Sequence, residues 1–248
     1  MNICVLASGS SGNCTLVEGK ESSILIDAGI SSRQIVKSLS SIGKDLTDID
    51  GVLVTHEHLD HTKGLLKLKD KVPFYMNEFT SDAINMKANL FKRQEIEIKE
   101  FQITPIPISH DAADPTGFRI ESANKTLGYF TDLGTSDDII KKTISESNCL
   151  VLETNHDIDM LLGGNYPYHL KTRILGDKGH LSNIDAGLLV RDNANPILKN
   201  VFLSHLSQNN NTQLLALSTF RKLTNQNRNL KLNSIMTSQT EKTDLIRI

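Results

Sequence analysis

The chain has little that suits an extracellular or membrane setting. Only three cysteines occur, Cys4, Cys14 and Cys149, and no two form a C-x-x-C pair. An odd number so widely spaced excludes a disulfide framework and points to a reducing, cytoplasmic location. Each reads as a small buried residue. No window approaches the ~18 consecutive apolar residues of a membrane helix, so no membrane contact is expected. The start, "MNICVLASGS", lacks the basic flank and longer apolar run of a signal peptide. A net charge of −2 excludes attraction of nucleic acid by the global field, so such a partner needs a local basic patch. No repeat of fixed period is present, and the biased segment "SQNNNTQ" (207–213) is too short to link domains. What remains is 248 residues, 38% hydrophobic, enough for one large α/β domain or two small ones.

Short apolar runs recur and end alike. "SSILIDAG" (22–29) ends at Asp27, "GVLVTHEH" (51–58) runs into His56 and His58, and "FQITPIPISHD" (101–111) ends at His110. "TLGYFTDLG" (126–134) ends at Asp132, "CLVLETNHD" (149–157) reaches Glu153 and His156, and "NVFLSHLS" (200–207) ends at His205. Runs of this length, rich in Val, Ile, Leu and Phe, are buried strands. Helical spacing is expected in 31–43, 61–71, 81–91, 137–147, 183–193 and 211–224. The segment "NYPYHLKTR" (165–173) reads as a mobile loop and 231–248 as one or two closing strands. Strands interleaved with helices make an α/β sandwich with the helices outside. Carboxylates and imidazoles at so many strand ends mark one ligand site, because strand ends are where α/β folds bind ligands.

The densest part is "LVTHEHLDH" (53–61). It is not a helical H-E-x-x-H site, because Asp60 stands four residues after His56. In extended chain His56 and His58 project to the same side and reach one metal. Asp60 and His61, past the turn, face a second. Hydrolytic ion pairs sit roughly 3.5–4 Å apart. The expected division is His56, His58 and His110 on one ion, and Asp60, His61 and His205 on the other, with Asp132 shared. Nitrogen and oxygen ligands without thiolate suit zinc or manganese, so the expected cofactors are two divalent ions, Zn or Mn.

H-x-H-x-D-H preceded by Asp27 and followed by His110, Asp132 and His205 resembles the metallo-β-lactamase-fold hydrolases over residues 3–220 or so. The resemblance implies one domain over 1–248 with a four-layer αβ/βα sandwich. It also implies that Asp27 supports a metal ligand by hydrogen bonding. The segments "VLASGSSGNCTLVE" (5–18), "LIDAGIS" (25–31), "ETNHD" (153–157), "GHLSN" (179–183) and "FLSHLSQNNN" (202–211) narrow it to the YycJ/WalJ group of bacterial exonucleases. That group implies a cytoplasmic enzyme degrading double-stranded DNA from 5′ to 3′. Redox members of the fold carry a carboxylate where this chain has His58, which favours hydrolysis.

Glu153 and His180 match the carboxylate–histidine dyad of tRNase Z-like phosphodiesterases. The match implies that a hydroxide held by the ions attacks phosphorus while His180, oriented by Glu153, protonates the leaving oxygen. Such an acid contributes about 10²–10⁴ in rate. Asp60 is expected both to bind metal and to accept the proton of the attacking water. Ser8, Asn13, His156, Ser182 and Asn183 are candidate substrate contacts, although a tight hairpin explains "ASGSSGN" (7–13) equally well. Tyr166, Tyr168, Lys171 and Arg173, near His169, suit stacking on bases and holding phosphates. Lysines in 63–71 with Lys87, Lys92 and Arg93 form either a DNA-facing stripe or a solvated face.

Three alternatives stay open. An RNA-processing phosphodiesterase is disfavoured in two forms, because 48 residues between His61 and His110 leave little room for a tRNA-gripping arm, and 72 between Asp132 and His205 exclude a large inserted domain. A thioester or lactam hydrolase and a non-enzymatic metal-bound sensor are the others.

Overall fold

A computed structural model describes residues 1–248. Strands β1 (Asn2–Ala7), β2 (Cys14–Glu18), β3 (Ser23–Ile26), β4 (Gly51–Leu53), β5 (Phe74–Asn77) and β6 (Asn89–Phe91) form the first sheet. Strands β7 (Ile96–Ile98), β8 (Phe101–Pro107), β9 (Thr116–Ser122), β10 (Lys125–Phe130), β11 (Cys149–Glu153), β12 (Asn200–Ser204) and β13 (Asn233–Met236) run in sequence order across the second. A final strand, β14 (Ile246–Arg247), returns to the first sheet and pairs antiparallel with β1. Each sheet is mixed. From β3 to β6 and from β10 to β13 the pairs are parallel, which brings strand ends to the same edge.

Alternation decides the layering. In β1, Ile3 and Val5 face the second sheet, packing with Phe101, Phe118, Tyr129 and Phe202. Cys4 and Leu6 face the other way, into a cluster with Ile35 and Leu39 of helix α1 (Ser32–Ser40). The second sheet does the same on its outer face, where Leu150, Leu152, Val201 and Leu203 meet α4 (Asp138–Glu146), α7 (Asn183–Asn193) and α8 (Gln213–Thr224). The order is helix, sheet, sheet, helix. Removing one fully buried ring between the sheets, as in Phe118→Ala, costs about 3–5 kcal/mol.

Caps set the helix starts. Ser31 and Gln34 make a reciprocal capping box at α1, and Asp137, Ser182 and Thr212 accept from backbone N–H groups at the starts of α4, α7 and α8. Three expectations are corrected. Residues 61–71 do not form one helix. Helix α2 (Leu59–Thr62) is a single turn, followed by a 3₁₀ turn at Leu65–Lys67. Gly64 intervenes, its N–H on Ala28 O at 2.7 Å and its Cα so close to the Ala28–Ile30 backbone that a Cβ would fall 2.5 Å from Ile30 O. The helix expected in 81–91 starts earlier, as α3 (Glu78–Ala83) capped by Asn77. It stops before Asn85, whose φ of 50° cannot continue it, and residues 89–91 become a strand. Residues 165–173 are mostly not a loop. Pro167 starts helix α6 (Tyr168–Leu175), which follows α5 (Ile158–Gly163). No helix is long and apolar enough to cross a membrane.

Candidate active site

The site lies where the strand ends of both sheets meet. The chain leaves β3 and β10 through Asp27 and Asp132, and β12 through His205, with φ of 60°, 56° and 55°. Non-glycine residues seldom adopt this left-handed conformation, and such departures concentrate at functional sites. Each turns a side chain inward at the point where the ladder stops.

The seven residues expected to bind metal converge. His56, His58 and His110 form one group whose donor atoms lie within 4.8 Å of one another, and Asp60, His61 and His205 form another. Asp132 reaches both, its Oδ2 3.0 Å from His61 Nε2 and its Oδ1 3.5 Å from His205 Nε2 and 3.8 Å from His110 Nε2. Asp60 Oδ2 is 3.7 Å from the Nε2 atoms of His61 and His205.

Hydrogen bonds fix one nitrogen of each buried ring and leave the other for the centre. His61 Nδ1 donates to Asp27 Oδ2 at 2.8 Å, and His205 Nδ1 to Glu153 Oε1 at 2.8 Å. His110 Nδ1 reaches Gly179 O at 3.3 Å, and His56 Nδ1 lies 3.0 Å from Thr55 Oγ1. The inward Nε2 atoms of His56 and His205 are buried without a hydrogen-bond partner, as is Asp132 Oδ2. Buried polar atoms are normally paired, so orphaned atoms aimed at one point are a donor set for a cation. Nitrogen and carboxylate donors suit a divalent metal.

The electrostatics agree. Burial and neighbouring imidazoles push His56 well down, and burial lowers His110, so both rings are neutral donors. Burial opposes charge on His61, yet Asp27 and Asp132 raise it to about 10. Burial also opposes ionisation of Asp132, but His205 and His61 hold its carboxyl well below the usual range. Asp132 thus stays ionised and demands positive charge, whereas burial raises the carboxyl of Asp27 behind His61.

Glu153 is fully buried at the end of β11. Its Oε1 accepts from His205 and also from His180 Nδ1 at 2.8 Å, and its Oε2 accepts from the N–H groups of Leu133 and Leu181. His180 is a fifth exposed and lies on the cleft wall. Burial disfavours its charge, but Glu153 raises its pKa above the ordinary imidazole value.

The expected substrate contacts fare differently. Ser8, Asn13, His156, Ser182 and Asn183 are all at most 4% exposed. Ser8 Oγ accepts from His205 N at 2.8 Å, and Asn13 Oδ1 accepts from Gly9 N while its amide lies 3.1 Å from His61 Nε2. Ser182 caps α7, Asn183 pairs with Asn211, and His156 sits beneath, in a bridge to Ser182. Ser8, Asn13, Ser182 and Asn183 are hydrogen-bonded into the scaffold, whereas His156 is buried with neither ring nitrogen paired, and none of the five lines the cleft.

The cleft itself is a cavity of about 220 Å³. Beside the cluster, its wall carries Ser10, Asn155, Tyr166, Leu170, Arg173, Ile174, Lys178 and Ser207. None of the basic residues of 63–71, nor Lys87, Lys92 or Arg93, lines it. Sequence reasoning missed Thr55, whose hydroxyl lies 3.0 Å from both Asp27 oxygens, and Asn155, whose amide donates to His205 O at 2.9 Å. Both adjoin noted motifs, but only the fold shows what they bind. It also missed Lys178, two residues before His180.

Comparison with known proteins agrees with this geometry. Residues 22–205 match the profile of the Beta-lactamase superfamily domain. The chain is 38% identical over 227 residues to Exodeoxyribonuclease YycJ of Bacillus anthracis, covering 87% of this chain and 86% of that protein. It is 35% identical over 226 residues to Exodeoxyribonuclease WalJ of Streptococcus pneumoniae, covering 86% and 84%. Among solved structures, the metallo-β-lactamase fold protein YhfI of Bacillus subtilis superposes with a TM-score of 0.73 at 16% identity, over 98% of this chain and 99% of YhfI.

Proposed function

The chain belongs to the metallo-β-lactamase superfamily, in the group of the YycJ and WalJ exodeoxyribonucleases, and from that premise we propose that it removes nucleotides from the 5′ end of double-stranded DNA. Residues 1–248 act as one catalytic domain. A DNA substrate and three unpaired, buried cysteines fit a cytoplasmic enzyme.

His56, His58 and His110 would hold one divalent ion, zinc or manganese, and Asp60, His61 and His205 a second, with the carboxylate of Asp132 within reach of both groups. When bound, the pair lowers the pKa of water and stabilises the charge that develops on the phosphoryl oxygens. The chain's own groups do the rest. Asp27 and Thr55 orient His61 and His56, and Glu153 orients His205. Asp60, whose carboxylate is a quarter exposed at the cleft, takes the proton of the attacking water. His180 protonates the departing oxygen from the opposite side.

The observation that carries a phosphodiester substrate is the shared carboxylate. Glu153 Oε1 serves a metal-facing imidazole and a cleft-facing imidazole at the same distance of 2.8 Å. A cleaved phosphodiester must shed an alkoxide, which needs a proton, and the paired carboxylate keeps His180 charged to give one.

The test is to incubate the manganese-loaded protein with end-labelled double-stranded DNA, single-stranded DNA and RNA. Mononucleotide release from the 5′ end of duplex DNA is expected. Cleavage of RNA alone overturns the DNA reading.

A further inference from the structure

Asn183 and Asn211 are buried, and their amides form a reciprocal pair. Asn183 Nδ2 donates to Asn211 Oδ1 at 2.9 Å, and Asn211 Nδ2 donates to Asn183 Oδ1 at 2.9 Å. The Asn211 amide also donates to Thr154 O at 2.9 Å and Asn155 O at 3.0 Å, one of its two hydrogens being shared. Asn211 Oδ1 accepts further from Thr212 N at 2.9 Å. One side chain thus ties together three segments. Thr154 and Asn155 directly follow Glu153 at the end of β11, Asn183 opens α7 just after His180, and Asn211 lies on the loop that leaves β12 through His205.

The two imidazoles on Glu153 Oε1 are not held alike. His205 stands at the end of the β11–β12 ladder, which stays in register to Glu153 and Ser204 and continues in Thr154 N to Ser204 O at 2.9 Å. Its own backbone makes two more bonds, N to Ser8 Oγ at 2.8 Å and O from Asn155 Nδ2 at 2.9 Å. His180 belongs to no ladder. It follows α6, none of whose residues is buried, and its N–H rests on Ile174 O of that helix at 3.0 Å. Beyond it the chain meets β11 through one isolated bridge, between His156 and Ser182. Two backbone bonds make that bridge, Asn155 N to Leu181 O at 2.9 Å and Asn183 N to His156 O at 2.8 Å. The amide pair adds the side-chain half of the same junction. Removing the Asn211 amide leaves Thr154 O and the Asn183 amide, both buried, without these partners.

A proton donor acts only within hydrogen-bond reach, and a displacement of about 1 Å can cost about a hundredfold in rate. We propose that the Asn183–Asn211 pair is a positioning device for the acid, joining the end of β11 to the start of α7 so that His180 stays on Glu153. The role rests on the reading of His180 as the acid and deepens it by naming what keeps that imidazole in place. Neither asparagine lines the cleft or belongs to a metal-binding group, so the pair reaches the chemistry through His180.

The test compares two substrates of the manganese-loaded protein. Duplex DNA sheds an alkoxide that needs a proton, and bis(nitrophenyl) phosphate sheds a phenolate that does not. Asn211→Ala is expected to retain both metals and to lower kcat on DNA about tenfold or more, with the nitrophenyl substrate within about twofold of the natural rate. In a His180→Ala background the same substitution is expected to cost less than about twofold on DNA, because the two act as one unit. Asn183→Ala removes the other half of the pair while Asn211 keeps its bonds to the β11 carbonyls, and the same pattern is expected if Asn211→Ala does not fold. Asn233→Ala breaks an amide pair with Asn200 at the opposite end of β12 and is expected to leave both rates unchanged.

Equal losses on the two substrates overturn the proposal, as does an undiminished loss in the His180→Ala background. Loss of metal overturns it too, by placing the pair behind the ions instead of the acid. DNA turnover that His180→Ala leaves intact, or no DNA turnover at all, overturns the acid reading itself. A crystal structure of Asn211→Ala or Asn183→Ala then decides the pair. Displacement of His180 from Glu153 Oε1 supports it, and an unchanged separation of 2.8 Å overturns it.

Discussion

His180 Nδ1 lies 2.8 Å from Glu153 Oε1, an oxygen that is wholly shut off from solvent. His180 is not among the residues assigned to the ions. His180→Ala is therefore expected to retain both metals by elemental analysis while turnover falls by about 10²–10⁴. A phosphodiester with an acidic leaving group, such as a nitrophenyl ester, is expected to lose far less. Loss of metal in the variant overturns the acid assignment.

Asp27 reaches the centre only through His61 and Thr55. Asp27→Asn keeps the shape of the side chain but removes the charge that orients His61. A fall in metal affinity of about 10–100-fold is expected, as for other carboxylates behind a ligating histidine. Competition with a chromogenic chelator measures it. Unchanged affinity means that the imidazole is held by the fold alone.

Gly29 is packed against the metal-binding turn so closely that a Cβ would fall 1.6 Å from Asp60 O and 2.6 Å from Asn13 N. Gly29→Ala must displace the turn that carries Asp60 and His61. Lower thermal stability and weaker metal binding are expected together. A variant with wild-type values of both would show that the turn yields freely.

Glu100 clamps the β2–β3 turn from the second sheet. Its carboxylate accepts from Glu21 N at 2.6 Å, and from the hydroxyls of Ser22 and Ser122. These bonds, the Glu21 N–H foremost, lower its pKa to about 2. A carboxylate with a depressed folded-state pKa contributes stability above its unfolded value, roughly 4.3, and loses it as pH falls through the folded value. Melting temperatures from pH 5 to pH 2 should fall more steeply for the wild type than for Glu100→Gln. Parallel curves would remove Glu100 from the account.

Much of the site was legible because metal chemistry restricts residue type and because strands end visibly. His56, His58, His110, Asp132 and His205 stand just past strand ends and Asp60 and His61 on the helical turn that follows, and the pairing of His56 with His58 follows from alternation in an extended chain. The double duty of Glu153 was not legible, because its partners His180 and His205 lie 27 and 52 residues away. Ser8 and Asn13 looked exposed in a glycine-rich turn. The turn instead folds under the last strands, with Ser8 N on Ser238 O. Helix α6 was obscured by its own composition, since a helix that buries nothing shows only a weak apolar stripe. Residues 61–71 misled in the opposite way, because periodicity does not reveal that Gly64 must press against another backbone.

The ligand set is divided between the two halves of the chain. Four members come before residue 62, while His110 and Asp132 arrive on the second sheet and His205 only at the end of β12. The set is therefore complete only once β12 has been made and paired, so a polypeptide still emerging from the ribosome lacks the full site. Proteolysis between the halves that lets them part takes His110, Asp132 and His205 away from the first four and dismantles the site.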